Sequence, residues 1–272
     1  MLYRTISPPP QLAPFVRAFW VLEGAASTEA PYIHRTLADG CAELIFHYRG
    51  RFDELTGKNE EQTASFRSGI HGPHSRFRRF IVRQDFGIFG VYLYPYALPL
   101  LFSRPANVLS NEMPSLEALS GNEGKILEEQ VMPADHAERI AFITAFLEKK
   151  LLSRAAPEPP VFAAIRNIIR HRGTDKVKEL ANTYALSTRQ FERNFKFFSG
   201  FSPKLYSRII RFQSVQDAYK DPNSSLTRLA YASGYYDQSH FIHDFRTFSG
   251  YHPRHFFFKK TEATAFLENE SR

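Results

Sequence analysis

The pattern of apolar and polar positions changes character near the middle of the chain. In the first hundred residues the apolar positions come in short blocks, 15–22, 42–48 and 86–94, rich in aromatic and β-branched side chains and bounded by Gly and Pro. Such blocks predict strands. Polar or Gly-containing stretches such as Gly50 to Gly69 separate them and predict loops, so this part reads as a small β barrel or sandwich. From Ala134 the period lengthens. Ile140, Ile143, Leu147 and Leu151 recur at three and four, with Phe146 alongside, and predict an amphipathic helix of about four to five turns over 134–152. Ser153 to Pro160, with three prolines, reads as a linker. Val161, Ile165, Ile168 and Ile169 then open a helix that Gly173 ends.

Beyond that helix one phrase is written twice, fifty residues apart: Phe191-x-x-x-Phe195-x-x-Phe198-Ser-Gly-Phe-x-Pro203 and Phe241-x-x-x-Phe245-x-x-Phe248-Ser-Gly-Tyr-x-Pro253. Leu180-Ala181 and Leu229-Ala230 precede the two copies, so the repeat covers a supersecondary unit of helix, tight turn and helix. In the first copy Thr174 is the expected cap of a helix through Val177, Leu180, Ala181 and Tyr184. Ser187 with Gln190 forms a capping box for the next helix, which ends at Gly200. In the second copy Ser225 caps a helix through Leu226, Leu229 and Ala230. Gly234 supplies the turn, and Asp237 caps the helix that ends at Gly250.

On a helical wheel Phe191, Phe195 and Phe198 fall within about 60° of one another, as do Phe241, Phe245 and Phe248, and these faces predict core. The opposite faces carry Arg189, Arg193 and Lys196 in the first copy and Ser239, His243 and Arg246 in the second, side chains that bond phosphates and base edges. Glu192 flanks the first basic face, placed either to accept from cytosine N4 or to orient Arg193. Charge changes the picture in the same direction. Residues 161–260 hold 17 Lys and Arg against 7 Asp and Glu, while the rest holds 18 against 21. The net +7 of the whole chain is therefore concentrated on one module, the electrostatic footprint of a nucleic-acid partner.

Leu180 to Pro203 and Leu229 to Pro253, including Gly234-Tyr-Tyr-Asp-Gln-Ser-His-Phe241, resemble the two helix-turn-helix motifs of AraC/XylS-type transcription regulators, over roughly 161–260. The resemblance implies seven helices, with one from Pro203 to about Tyr219 joining the halves, and two recognition helices in successive major-groove segments on one face of double-stranded DNA. With the wheel it assigns DNA binding to Arg189, Glu192, Arg193 and Lys196, and to Gln238, Ser239, His240, His243 and Arg246. Ala38-Asp39-Gly40 through Phe46, and Gly90 to Pro95 followed by Ala97 to Phe102, are similar to the cupin-like N-terminal domain of many such regulators, over roughly 10–130. Members usually have Pro-Asp-Gly where this chain has Ala38-Asp39-Gly40. That likeness implies sensing of a small molecule, dimerisation, or both.

The expected fold class is therefore α+β and multidomain: a small, cupin-like N-terminal β barrel with helices over 1–152, a linker over 153–160, an all-α domain of two helix-turn-helix motifs over 161–260, and a tail over 261–272. The last domain is expected to have a core of its own.

Candidate chemistry adds little that points to catalysis. The single Cys41 excludes an internal disulfide and a multi-cysteine metal site, including the zinc site of a DNA-repair alkyltransferase, and reads as a small buried residue. His34, Glu43 and His47 lack the His-x-His spacing of a barrel metal site, so neither metal nor cofactor is expected. His71-Gly-Pro-His74, among Arg76, Arg78 and Arg79, reads as a solvated loop. His34, Glu43, Tyr92 and Tyr94 are the candidate effector contacts; the alternative for the two tyrosines is the outer face of the sheet. The start of the chain lacks a signal peptide's apolar region and no run reaches membrane-span length, which suits a cytoplasmic protein. The expected function is a transcription regulator, not an enzyme, with operator DNA, a small organic effector, a homodimer partner through 1–152 and, for an activator, RNA polymerase. The 134–152 stripe is a candidate dimer surface unless it packs on its own barrel. A cupin-type enzyme fused to a DNA-binding module is the competing reading.

Overall fold

The computed structural model of the chain describes residues 1–57, 59–151, 158–184, 186–219, 225–258 and 261–262. The N-terminal half contains β1 (Leu2–Ile6), β2 (Val16–Gly24), β3 (Tyr32–Thr36), β4 (Ala42–Arg49), β5 (Asp53–Thr56), β6 (Glu61–Ala64), β7 (Ser68–His71), β8 (Arg78–Val82) and β9 (Phe86–Leu93). Five short and medium helices follow: α1 (Ala97–Phe102), α2 (Ala106–Leu109), α3 (Leu116–Ser120), α4 (Asn122–Val131) and α5 (His136–Leu151). The strands form two antiparallel sheets, ordered β1-β2-β9-β4-β7 and β3-β8-β5-β6. One aromatic core lies between them, with Trp20, Ile45 and Ile88 from the larger sheet against Phe80 and Val82 from the smaller. The other face of the larger sheet is covered by the helices: Phe19, Val21, Leu44, Phe46 and Phe89 pack with Leu98, Leu127, Ile143 and Leu147.

The three apolar blocks become β2, β4 and β9, each with a run of at least four consecutive buried residues because both faces of their sheet are covered. Gly50 to Gly69 is not a loop. It holds β5 and β6, joined through a turn at Gly57, where φ is +66°. The polar Glu61–Ala64 is a strand because β5 pairs with it, and β5 pairs in turn with β8, a partner that local periodicity cannot reveal. His71 and His74 are not solvated either. The His71 ring stacks on Phe80 at 5.2 Å, and His74 is buried in a backbone bridge to Asp39. The α5 stripe packs on its own domain, with Ile143, Leu147 and Leu151 buried and Ile140 partly so, which removes it as a dimer surface.

The C-terminal half is helical: α6 (Pro160–Arg170), α7 (Val177–Thr183), α8 (Thr188–Ser199), α9 (Pro203–Ala218), α10 (Leu226–Ala232), α11 (Gln238–Ser249) and α12 (Pro253–Phe258). Thr174 does not cap α7; its hydroxyl bonds back to His171 O at the end of α6, and Lys176 takes the cap position. The expected linker falls largely on residues outside those described, as does most of the expected tail. The core of this half is not wholly its own. Ala38 and Tyr96 belong to the same buried cluster as Phe191, Phe195, Phe241 and Phe245, and the Tyr96 ring stacks on Phe162 at 4.3 Å.

Candidate nucleic-acid interface

Both recognition helices start and stop where their sequences say. Ser187 and Gln190 form the capping box of α8, Ser225 caps α10 and Asp237 caps α11 by accepting from His240 N at 2.7 Å. Gly200 and Gly250 close α8 and α11 in the left-handed region, at φ +88° and +79°. The inward faces bury Phe191 and Phe195 from α8 and Phe241, Phe245 and Phe248 from α11, while Phe198 is half-buried against Phe162.

Arg189, Glu192, Arg193 and Lys196 are all exposed on α8, and Ser239, His240, His243 and Arg246 are exposed on α11. Gln238 is half-buried and its Oε1 accepts from Thr227 Oγ1 at 2.7 Å, so its amide is held toward α10. The arrangement offers two outward helix faces of side chains able to bond phosphates and base edges.

The spine between them is α9, and its decisive contacts were not legible in the sequence. Tyr206 meets Phe195 edge-on at 5.5 Å, and Phe212 meets Phe245 at 5.2 Å and Phe248 at 5.5 Å. Arg208 donates from Nη2 and Nε to the carboxylate of Asp244 on α11, at 2.5 and 3.2 Å, and Asp244 is 1% exposed. Arg208 and Asp244 are 36 residues apart, and only the helix crossing brings them together. Tyr236 was missed too. It is 87% exposed immediately before the cap of α11, an aromatic side chain beside the helix end that would approach DNA.

A second site lies beneath α6 and α9. His34, Glu43, Tyr92 and Tyr94 all line one cavity of about 450 Å³, which Ile169, Ile210 and Phe212 of the helical half close from above. Arg17 also faces it, together with Cys41 and the Asp39 carboxylate. Burial pushes the Glu43 carboxyl up to about 8, with Asp39 adding to the rise, so that it carries a proton at neutral pH. Burial likewise pushes the Cys41 thiol up to about 12, which leaves it inert as a nucleophile. Among the described residues no group of three or more His, Cys, Asp and Glu is placed to hold a metal ion, and no helix is long and apolar enough to cross a membrane.

The raised Glu43 has a pH consequence. A carboxyl that titrates near 8 in the fold and near 4.5 in the open chain contributes stability below about 4.5 that is lost as pH rises through 8. Glu43→Gln is expected to flatten that decline. Denaturant titrations from about pH 5 to about pH 9 check it, and parallel curves for both chains would refute a proton on Glu43.

Comparison with known proteins places both halves. Residues 180–258 match a helix-turn-helix domain, and residues 4–114 match a domain of unknown function, DUF6597, a description that does not itself mention a cupin. A 75-residue segment is 31% identical to the HTH-type transcriptional activator RhaS of Escherichia fergusonii, covering 28% of this chain and 27% of that protein. The match thus spans about a quarter of the curated relative. Among solved structures, ToxT from Vibrio cholerae aligns over 88% of this chain and 98% of its own at 14% identity, with a TM-score of 0.47. The DNA-binding domain of AdpA, in complex with a target DNA, aligns over 37% of this chain and 91% of its own at 21% identity, with a TM-score of 0.34.

Proposed function

We propose that this chain is a regulator of the AraC/XylS type that binds operator DNA through α8 and α11 of its helix-turn-helix domain and answers to a small organic molecule held between its halves. The observation that carries the reading is the pair of exposed, in-phase faces, Arg189, Arg193 and Lys196 on one helix and Ser239, His243 and Arg246 on the other, on a module with a net charge of +10. A DNA partner fits a cytoplasmic location, and a role as activator, with RNA polymerase as a partner, is part of the proposal in keeping with the relative's name.

Arg193→Ala is expected to weaken binding to the preferred site by about 1–3 kcal/mol and to relax the preference at one base position. Titration against the preferred duplex and its single-base variants reads both. Equal weakening on every sequence would reassign Arg193 to phosphate.

The effector part rests on the cavity. The Arg17 guanidinium, the protonated Glu43 and the Tyr92 hydroxyl bonded to it line the cavity, beside the aromatic walls of Trp20 and Tyr94. That set suits an acceptor-rich head group, a carboxylate above all, on an apolar body. A fitting organic acid is expected to raise stability by about 2.7 kcal/mol at a hundred times its Kd, and the corresponding primary alcohol by much less. Equal stabilisation by acid and alcohol would refute the head-group assignment. Self-association through the first domain is proposed on the open edge of β1, which pairs only with β2 among the described strands and exposes Leu2. Sedimentation of the full chain measures it.

A further inference from the structure

The two recognition helices are joined twice, once through α9 and once through the first domain. At the end of α8, the one hydroxyl proton of Ser110 is shared between Gly200 O at 3.1 Å and Ala106 O of its own domain at 3.0 Å, and a Cβ on Gly200 would stand 2.2 Å from that hydroxyl oxygen. At the end of α11, Ala38 N donates to Phe248 O at 2.9 Å and Arg35 Nη1 donates to Ser249 O at 3.2 Å. The first domain therefore satisfies terminal carbonyls of both helices, groups that a helix leaves without internal partners. The two acceptor sites are the two copies of Phe-Ser-Gly. Their glycines are needed twice, for the left-handed turn and for the close approach of the other half.

Between those two contacts runs an unbroken set of backbone pairings inside the first domain. Asp39 and His74 exchange N–H to O bonds at 2.9 and 3.0 Å. Asn111 N donates to Pro73 O at 2.9 Å, Gly72 N donates to Glu112 O at 3.0 Å, and Ser75 N donates to Asn111 Oδ1 at 2.9 Å. Three segments, 38–39, 72–75 and 110–112, are thus hydrogen-bonded side by side, with Ala38 at one end and Ser110 at the other. Gly72 lets two of them touch, since a Cβ there would fall 1.8 Å from Leu109 O.

We propose that these segments are a crossbar that sets the separation of the two recognition helices, and so the spacing between half-sites that the chain accepts. Ser110 and Gly72 are positioning residues in this scheme, and neither belongs to a reading face. The crossbar also forms part of the cavity wall through Ala38, Asp39 and His74, which gives a bound effector a direct mechanical path to α11. The inference rests on the reading that α8 and α11 bind DNA.

The test uses the full chain and a set of duplexes carrying both half-sites at the preferred spacing, or with one base pair added or removed between them. The intact protein is expected to discriminate among spacings. Ser110→Ala is expected to lower that discrimination about two- to tenfold, the worth of one hydrogen bond, while leaving affinity for a single half-site unchanged. Ser110→Thr, which keeps the hydroxyl, should restore it. Gly72→Ala, which pries the bar apart without touching either helix, should lower discrimination further. Should that chain fail to melt cooperatively, Asn111→Ala replaces it, with the same expected direction. Discrimination unchanged in Ser110→Ala and in the second variant, with DNA binding intact, would overturn the crossbar and leave α9 as the sole ruler. Failure of the intact protein to bind any duplex would overturn the DNA reading itself, and the crossbar with it.

Discussion

Phe245→Ala is expected to destabilise the helical half by about 3–5 kcal/mol and to abolish binding of the second half-site. Phe245 is 2% exposed, and its ring lies 5.2 Å from Phe212, 5.6 Å from Phe241 and 5.3 Å from Phe256. It is the side chain through which α11 meets both the spine and α12. Truncation removes the transfer free energy of the ring and leaves a cavity among aromatic neighbours that collapse poorly. Tyr236→Ala is the control, because an 87% exposed ring should cost no more than about 0.5 kcal/mol of stability. Urea unfolding of the two variants decides the matter: a loss under about 1.5 kcal/mol for Phe245→Ala would mean that α11 is not anchored as described.

Asp244→Ala is expected to cost about 3 kcal/mol, the low end of what breaking a buried ion pair costs when one partner is left behind. Asp244 is 1% exposed, whereas the Arg208 side chain is 29% exposed and water can partly solvate it once its partner is gone. The pair joins α9 to α11, so the loss should fall on the second half-site more than on the first. Replacing both partners, Asp244→Leu with Arg208→Met, should recover much of the stability, since no charge is then stranded. Denaturant midpoints for the single and double variants measure the coupling. Additive losses would show that the pair does not interact.

How far the sequence could be read follows from the distance over which each feature is determined. The helix-turn-helix units were legible because their information is local: Ser187 with Gln190, Asp237, Gly200 and Gly250 act within a few residues of themselves, and the Phe spacing shows which face turns inward. Strands β2, β4 and β9 were legible because each carries a block of aromatic and branched apolar residues. Strands β3, β5, β6 and β8 were not, because Arg79 sits in a strand only through its pairing with Arg35 and Leu55, and the polar Glu61 only through its hairpin partner Thr56, whose own strand is held by β8. His71 and His74 looked solvated beside three arginines, yet pairing of their segments to β4 and Asp39 buries them. The outward placement of Arg189 and Arg193 on α8 could be read from the wheel, while the contacts of Asp244, Arg208 and Ser110 could not. Their roles exist only where two elements cross, and nothing in their immediate sequence marks the crossing. The four candidate effector residues were named from three separate stretches, and the cavity that brings them together is closed by helices of the other half of the chain.

Selection of duplexes from a random pool by the full chain shows whether α8 and α11 read DNA sequence together. The expected product is a motif of two distinct half-sites about 10–10.5 base pairs apart, the repeat that places both in the major groove on one face of the duplex. Selection by Arg193→Ala should return the same motif with one base position in the first half-site relaxed. Recovery of a pool with no enriched sequence, or of a single half-site with no preferred neighbour, would mean that the two helices do not read DNA together.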